Sequence, residues 1–405
     1  MRPFFTPVTR ATSSVAGLAL MTAALVGTTR LGAQSTGNNK PAAKSPPTTA
    51  AKSGSKTSAK HPTKPQGKSA TSGTKGKATK KGKKTEKDVS SPLPKHRYTA
   101  DTISVGATTA TRNSRVSGTF DAAPTNGSTH RIPFALIHGA NPGPVVAYLS
   151  QAPDSGYSTV AGLMKLVNLI DPAKVSGSII VVPWFDASAT PAVLAQIVER
   201  ADLVVALSGQ PIDDDLHPYG YWPRTGNPTQ DKASGALAVA FGLDVVAVRD
   251  VTLPTTARND DLVSATLAAG KSVLRIEGGR TSAAAASATN SVVAGCLNVL
   301  GSIGVITRAV GMNGKVSWIG ASHEVHAASD GAFSPEVERG AKVRKGQKIG
   351  ALTDGPSAVA ADILSPTDGI VTFIRSSPSV AKDATILIVA TNYGPTPPPF
   401  SKPKP

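Results

Sequence analysis

The sequence predicts an α/β domain with a doubly wound, mostly parallel sheet, followed by a small all-β domain and preceded by a disordered basic tail. Three observations carry this. Between Arg131 and Leu300, short apolar runs alternate with stretches of helical period, the pattern of a parallel sheet with helices on both faces. Beyond Gly301 no helical period of any length remains, and glycine and proline turns separate short alternating runs, as in an all-β module. Charge is also segregated along the chain. Of the net +17 carried by 405 residues, residues 34–97 hold +14 and residues 1–33 hold +3, so residues 98–405 are electrically balanced. That balance excludes a basic nucleic-acid-reading domain as the default. A single cysteine, Cys296, excludes an intramolecular disulfide framework and a Cys-rich zinc site.

Residues 1–33 read as an export signal. Arg2 and Arg10 precede an apolar run over 14–27, and Ala33 offers a small residue at the cut. The run is shorter than the roughly 20 residues that span a bilayer, which favours cleavage over anchoring and places the mature chain in the periplasm or outside the cell. Residues 34–97 hold fifteen Lys and Arg97 against Glu86 and Asp88, among Ser, Thr, Pro, Ala and Gly. A segment with so few large apolar side chains cannot offset its ordering entropy and is expected to be disordered. It reads either as a solvated tether or as a polycation that holds the protein to an anionic cell-wall or membrane polymer. A histone-tail-like DNA contact is chemically open but conflicts with export, and no specific nucleic acid is expected as a partner.

The folded part divides at about 304, giving an α/β domain over 98–304 and a β domain over 305–392, with a loose Pro-rich tail over 393–405. Strands are expected at 132–137 and 145–149, around the turn Gly139-Ala140-Asn141-Pro142-Gly143-Pro144. A helix follows over 160–170, where Val160, Leu163, Leu166, Val167 and Ile170 share a side. The alternation continues with strand 178–182, helix 192–200, strand 203–207, helix 233–241, strand 245–248, helix 262–269, strand 272–277 and helix 291–300. Short strands are then expected at 315–319, 324–328, 349–352, 369–374 and 384–390.

Several stretches, in order and spacing, resemble the succinylglutamate desuccinylase/aspartoacylase group of zinc-dependent deacylases, relatives of the zinc carboxypeptidases. They include Ile132-Pro133, the run from His138 to Pro144, residues 177–183, Ala201-Asp202-Leu203-Val204-Val205, residues 216–226 and 237–243, and Ile276-Glu277-Gly278-Gly279. Gly331-Ala332-Phe333, residues 340–350 and Ser365-Pro366-Thr367-Asp368-Gly369 fit the same pattern. The resemblance implies a zinc-carboxypeptidase-like α/β domain followed by a barrel-like β domain akin to biotinyl and lipoyl modules. It also implies hydrolysis of N-acyl amino acid amide bonds by zinc-activated water. Because no lysine stands in a Met-Lys-Met setting, the β domain reads as structural.

In that family a His and a Glu three residues apart, together with a later His, hold Zn²⁺ with one position open for water. Counted from Gly143-Pro144, those positions fall on Pro153, Gly156 and Ser208. The chain has no His between Gly139 and Leu216 and no Glu between Ala140 and Val198, so no slip of register restores the first pair. Zinc, the family's cofactor, is therefore not expected here. The family's Asn-Arg pair for the substrate carboxylate is missing as well. Between Pro183 and Ala201 there is no Asn, and Arg200 reads as a charge at a helix C-terminus. Glu277 stands where the family keeps its general base, either as a surviving acid or base or as an orphan held by local hydrogen bonds.

Asp215-Leu216-His217 spells a metal motif nine residues too late; with Asp213 and Asp214 it reads as an acidic turn or a makeshift oxygen-rich site. His323 and His326 flank Glu324 on an expected strand, where a spacing of three places them on opposite faces. His138 reads as a satisfied interior histidine and Cys296 as a small packed hydrophobe. No Gly-x-Gly-x-x-Gly follows a strand, and aromatics are only 4% of the chain, so nucleotide binding and base stacking lack support. The reading that follows is an exported, tethered, non-catalytic protein. It would bind an envelope ligand or protein partner around Trp184, Asp213, Asp214, Asp215, Tyr219, Tyr221 and Trp222. The alternative is an active metal-dependent hydrolase on amide or ester bonds, with Asp154, Asp213 and His217 as replacement ligands and Glu277 as base.

Overall fold

The computed structural model describes residues 98–401 except 126–127, 151–156, 187–188, 209–213, 253–261, 279–285, 311–314 and 356–360. The export signal of 1–33, the tether of 34–97 and the positions of Pro153, Asp154, Gly156 and Asp213 thus lie outside the described residues.

The α/β part opens with two antiparallel pairs: β1 (Thr102–Val105) with β2 (Thr108–Thr111), and β3 (Ser114–Thr125) with β4 (Ser128–His138). It continues with β5 (Asn141–Ser150), α1 (Tyr157–Leu169), β6 (Ser176–Val182), α2 (Thr190–Val193), β7 (Leu203–Ser208), β8 (Asp214–Leu216) and β9 (Tyr219–Arg224). Next come α3 (Pro228–Phe241), β10 (Val245–Asp250), α4 (Leu262–Ala268), β11 (Ser272–Glu277) and α5 (Ala286–Ser302). The remainder is all β: β12 (Ser317–His326), β13 (Gly331–Pro335), β14 (Lys342–Val343), β15 (Lys348–Thr353), β16 (Ala361–Leu364), β17 (Gly369–Arg375), β18 (Ser379–Val380) and β19 (Thr385–Gly394).

Among the described residues thirteen strands form one mixed sheet, ordered β14-β17-β19-β12-β10-β9-β11-β7-β5-β6-β4-β3, with β8 on β17. Its centre is parallel in two runs, β6-β5-β7-β11 and β9-β10-β12. The runs meet antiparallel where β9 lies against β11. Helices cover both faces. Leu163 and Leu166 of α1, Leu237 and Phe241 of α3 and Cys296 and Val299 of α5 pack in one core with Val146, Val205 and Leu274. Val193 of α2 and Leu262 and Leu267 of α4 pack in a second core with Ala147, Val204 and Val273. Burying each of the Val, Leu and Phe side chains contributes about 1.5–3 kcal/mol, and with both faces covered the central strands β6 and β7 are buried along nearly their whole length.

Local signals set the ends. Asn227 caps α3 by accepting from the Thr229 and Gln230 amides, Pro228 starts it, and Gly242 closes it at φ 95°, a left-handed conformation that favours glycine. Gly143 is needed for close approach: a Cβ there would collide with the backbone of Ser176 and Gly177. The helix expected over 192–200 is instead the short α2 followed by a π-helical turn, Leu194–Val198. Arg200 donates to the Gln196 and Ala195 carbonyls at its end.

The β part shares hydrogen bonds with the α/β sheet, because β12 pairs parallel with β10 and antiparallel with β19. The runs expected at 315–319 and 324–328 are one strand with register shifts. β13, β15, β16 and β18 make a separate four-stranded sheet. Phe333, Ile349 and Leu352 from it close a core with Val371, Leu387 and Val389.

The stretch expected to be loose after 393 is held down as far as Ser401. Trp318 donates to the Pro395 carbonyl at 3.1 Å, Arg224 to those of Pro398 and Pro399 at 2.8 and 3.1 Å, and Ser401 N to Asp250 at 2.7 Å. Arg224 also pairs with Asp250 at 2.5 Å and lies over the rings of Trp222 and Phe400. A polyproline strand leaves its carbonyls unpaired, and a buried guanidinium supplies donors for them.

Candidate functional site

The carboxyl ends of parallel strands are where α/β sheets place ligands, and here β5, β7 and β11 end side by side. At the end of β5, Ser150 Oγ lies 2.9 Å from Thr159 Oγ1 in the first turn of α1. At the end of β7, Ser208 stands in register with Glu277 of β11. The Ser208 hydroxyl donates to Glu277 Oε2 at 2.5 Å, and the Gly278 amide donates to the Ser208 carbonyl at 2.7 Å. Ser208 O and Thr159 Cγ2 lie 3.0 and 3.1 Å from where a Gly278 Cβ would stand, so the two strand ends and α1 close on one another.

Glu277 is 6% exposed. Its second oxygen pairs with Arg275 Nε at 2.5 Å, two residues back on the same face. A carboxylate this deep is stable only when paired and hydrogen-bonded, and Ser208 and Arg275 supply both. Opposite Glu277 on β9 is Tyr219, whose phenol pKa is pushed well up by burial and then by the nearby Glu277 carboxylate. It is therefore a neutral hydrogen-bonding group at any physiological pH.

The fit of these groups to zinc is poor. Ser208, which the sequence resemblance maps onto the later ligand position, donates its hydroxyl hydrogen bond to Glu277, and Pro153 and Gly156 carry no donor side chain. Among the described residues no three His, Cys, Asp or Glu side chains gather in a way that could hold a metal. Asp215 pairs with Arg339 at 3.1 Å, and His217 Nε2 lies 3.1 Å from Asp244, whose carboxyl pKa that hydrogen bond lowers. These are separate pairs. The acidic turn expected there is partly strand, since β8 pairs with β17 through Leu216 and Phe373.

The aromatic cleft expected from sequence is divided by the sheet. Tyr219 and Tyr221 belong to one face of β9. Trp222 belongs to the other, donates to the Asp231 carbonyl at 2.9 Å and meets Trp318 at 5.5 Å between centroids. Trp184, just beyond β6, is exposed. What sequence reasoning missed is Arg275 and Arg249, both on the Tyr219–Tyr221 face. The matching stretch on β11 begins after Arg275 and β10 carries none; only the order β10-β9-β11 brings the two arginines to one face.

The remaining candidates are satisfied interior or surface groups. His138 is fully buried, with Nδ1 2.9 Å from Ser178 Oγ and Nε2 3.0 Å from the Ala100 carbonyl. Burial lowers its pKa, so the ring is neutral, Nε2 donates and Nδ1 accepts. Cys296 is buried in α5 and its thiol pKa is pushed far up by burial. His323 and His326 have different partners, Thr391 Oγ1 and the Asp383 carbonyl.

No protein-family model matches the chain, and no curated protein matches it. Solved structures do. A succinylglutamate desuccinylase/aspartoacylase from Rhodobacter sphaeroides superposes with a TM-score of 0.59 at 21% identity, covering 70% of this chain and 97% of its own. The apo ectoine utilization protein EutE (DoeB) from Ruegeria pomeroyi gives 0.60 at 17% identity, covering 69% and 96%. An aspartoacylase family protein from Mesorhizobium loti gives 0.55 at 18% identity, covering 68% and 94%. The chain therefore has the fold of the succinylglutamate desuccinylase/aspartoacylase proteins.

Proposed function

We propose that this protein is a non-catalytic binding protein built on the deacylase fold, exported and tethered at the cell envelope. One observation carries the first half: the carboxylate at the family's base position is held on one side by Ser208 and on the other by Arg275. Ser208 itself replaces a metal-ligating histidine. A general base must be free to take a proton from metal-bound water, and this carboxylate is tied into the sheet where the metal would have to approach. The envelope half rests on the leader and on the +14 segment 34–97, which suits an anionic cell-wall or membrane polymer.

The test is hydrolysis of N-acyl amino acids by the purified protein supplied with zinc, alongside the Glu277→Gln variant. No turnover in either is expected. Zinc-dependent turnover that disappears in Glu277→Gln would establish the active hydrolase instead. For the tail, deletion of 34–97 is expected to abolish retention on heparin at low salt; retention that persists would make the segment a spacer.

A further inference from the structure

We infer that the groove running from Trp318 to Arg224 is a docking site for a proline-rich, extended segment of another protein, held shut in this chain by its own C-terminal strap, residues 395–401. The inference goes beyond the binding role proposed above and concerns a different place on the fold. Because β9 runs antiparallel to β11, Arg224 at the carboxyl end of β9 lies toward the opposite edge of the sheet from Glu277.

The groove presents donors spaced along an extended chain. Trp318 Nε1 donates to the Pro395 carbonyl at 3.1 Å. Three residues further on, Arg224 Nη1 donates to the Pro398 carbonyl at 2.8 Å and Nη2 to that of Pro399 at 3.1 Å. Asp250 fixes the guanidinium: one carboxylate oxygen accepts from Arg224 Nε at 2.5 Å and the other from the Ser401 amide at 2.7 Å. Aromatic rings complete the seat. The guanidinium carbon lies 5.4 Å from the Trp222 ring centre and 5.6 Å from that of Phe400. The Phe400 ring rests on Gly226, one of its carbons 3.1 Å from where a Cβ would stand.

This chemistry selects proline. Each proline of Pro397-Pro398-Pro399 lacks an N–H and holds φ near −65°, so the run is preorganised as an extended helix whose carbonyls have no internal partners. An aromatic-lined groove that receives such a preformed helix is a recurrent mode of peptide recognition. Here the donors read main-chain carbonyls, so any segment with the same proline spacing fits them. The strap's hold is partial: Pro397 and Pro398 are half-buried, whereas Pro399, Phe400 and Ser401 are exposed, Phe400 by 43%. A competing segment therefore displaces the strap from its C-terminal end. Each chain fills its own groove, so a second copy brings no spare strap, and the occupant in trans is a separate proline-rich chain.

Calorimetric titration with the peptide Gly-Pro-Thr-Pro-Pro-Pro-Phe-Ser, the strap's own sequence, tests the inference; a control peptide has alanine for every proline. The full-length parent is compared with two full-length variants whose strap is loosened, Phe400→Ala and Pro398→Gly. Saturable binding to the variants is expected, about tenfold or more tighter than to the parent, whose strap competes in cis at an effective concentration on the order of millimolar. The alanine peptide, which is not preorganised, should bind about tenfold more weakly. Adding Trp318→Phe to the Phe400→Ala chain removes the indole donor, keeps an aromatic ring and should cost about fivefold. Absence of saturable binding to both loosened variants, or equal affinity for the alanine peptide, would overturn the docking site. A parent chain that dimerises and is dissociated by the peptide would assign the groove to a second copy's strap and overturn the separate partner.

Discussion

Ser208 and Glu277 face each other in register across β7 and β11, and the serine hydroxyl donates a hydrogen bond to the carboxylate at 2.5 Å. On the proposed reading, one short contact joins the two positions onto which the sequence resemblance maps a zinc ligand and the general base. Ser208→Ala would leave a nearly buried carboxylate oxygen without this donor and should cost about 1–3 kcal/mol. Urea denaturation measures it, and a midpoint unchanged from the parent would contradict the assignment.

The C-terminal strap should behave as part of the core. Arg224 and Asp250 side chains are only 7% and 14% exposed, and removing one partner of such a pair costs about 3–5 kcal/mol. Arg224→Ala should destabilise the full-length chain by that order and destabilise a chain truncated after Gly394 by clearly less, because the Pro398 and Pro399 carbonyls are already gone. A double-mutant cycle on thermal midpoints gives the coupling; strict additivity would mean that the strap rests on Arg224 without energetic consequence.

His138 imposes a direction on the pH dependence of stability. Burial sets its folded-state pKa below the ordinary histidine value of about 6.5, so between the two values the unfolded chain binds more protons. Its contribution is fully present above about pH 6.5 and is lost as pH falls through the folded value. Denaturation from pH 7.5 to 5 should show falling stability, with a shallower fall in His138→Gln. An equal slope in that variant would place the dependence elsewhere.

Cys296 should resist thiol reagents. Buried in α5, with its pKa driven upward by burial, it offers almost no thiolate, the reactive form. Labelling should proceed at the rate of unfolding and accelerate in denaturant; rapid labelling of the native protein would show that α5 opens.

Much of the fold was legible because its signal is local. The apolar runs of β5, β6, β7 and β11 and the period of α1, α3 and α5 stand in the sequence, as does the Asn227-Pro228 start of α3. β1, β2 and β3 were not legible, since their Thr- and Ser-rich residues bury few large side chains. β9 was hidden by Gly220 and Pro223, residues that usually punctuate strands. The strap reads as loose because proline carries no signal for the arginine that holds it. At the site, the family resemblance singles out Ser208 and Glu277, and the strand register brings the two together. The placement of Arg249 and Arg275 on one sheet face was not legible, because it depends on β9 lying between β10 and β11, parallel to one and antiparallel to the other, a relation of strand order rather than of neighbouring residues.

The proposed non-catalytic role requires that Ser208, Pro153 and Gly156, the positions onto which the sequence resemblance maps the zinc ligands, leave no seat for the ion. Equilibrium dialysis of the full-length protein against micromolar zinc, read by elemental analysis, tests it most directly. The account predicts only weak, non-stoichiometric zinc that is unaffected by Glu277→Gln. About one zinc per chain, bound tightly and weakened by Glu277→Gln or Ser208→Ala, would contradict it.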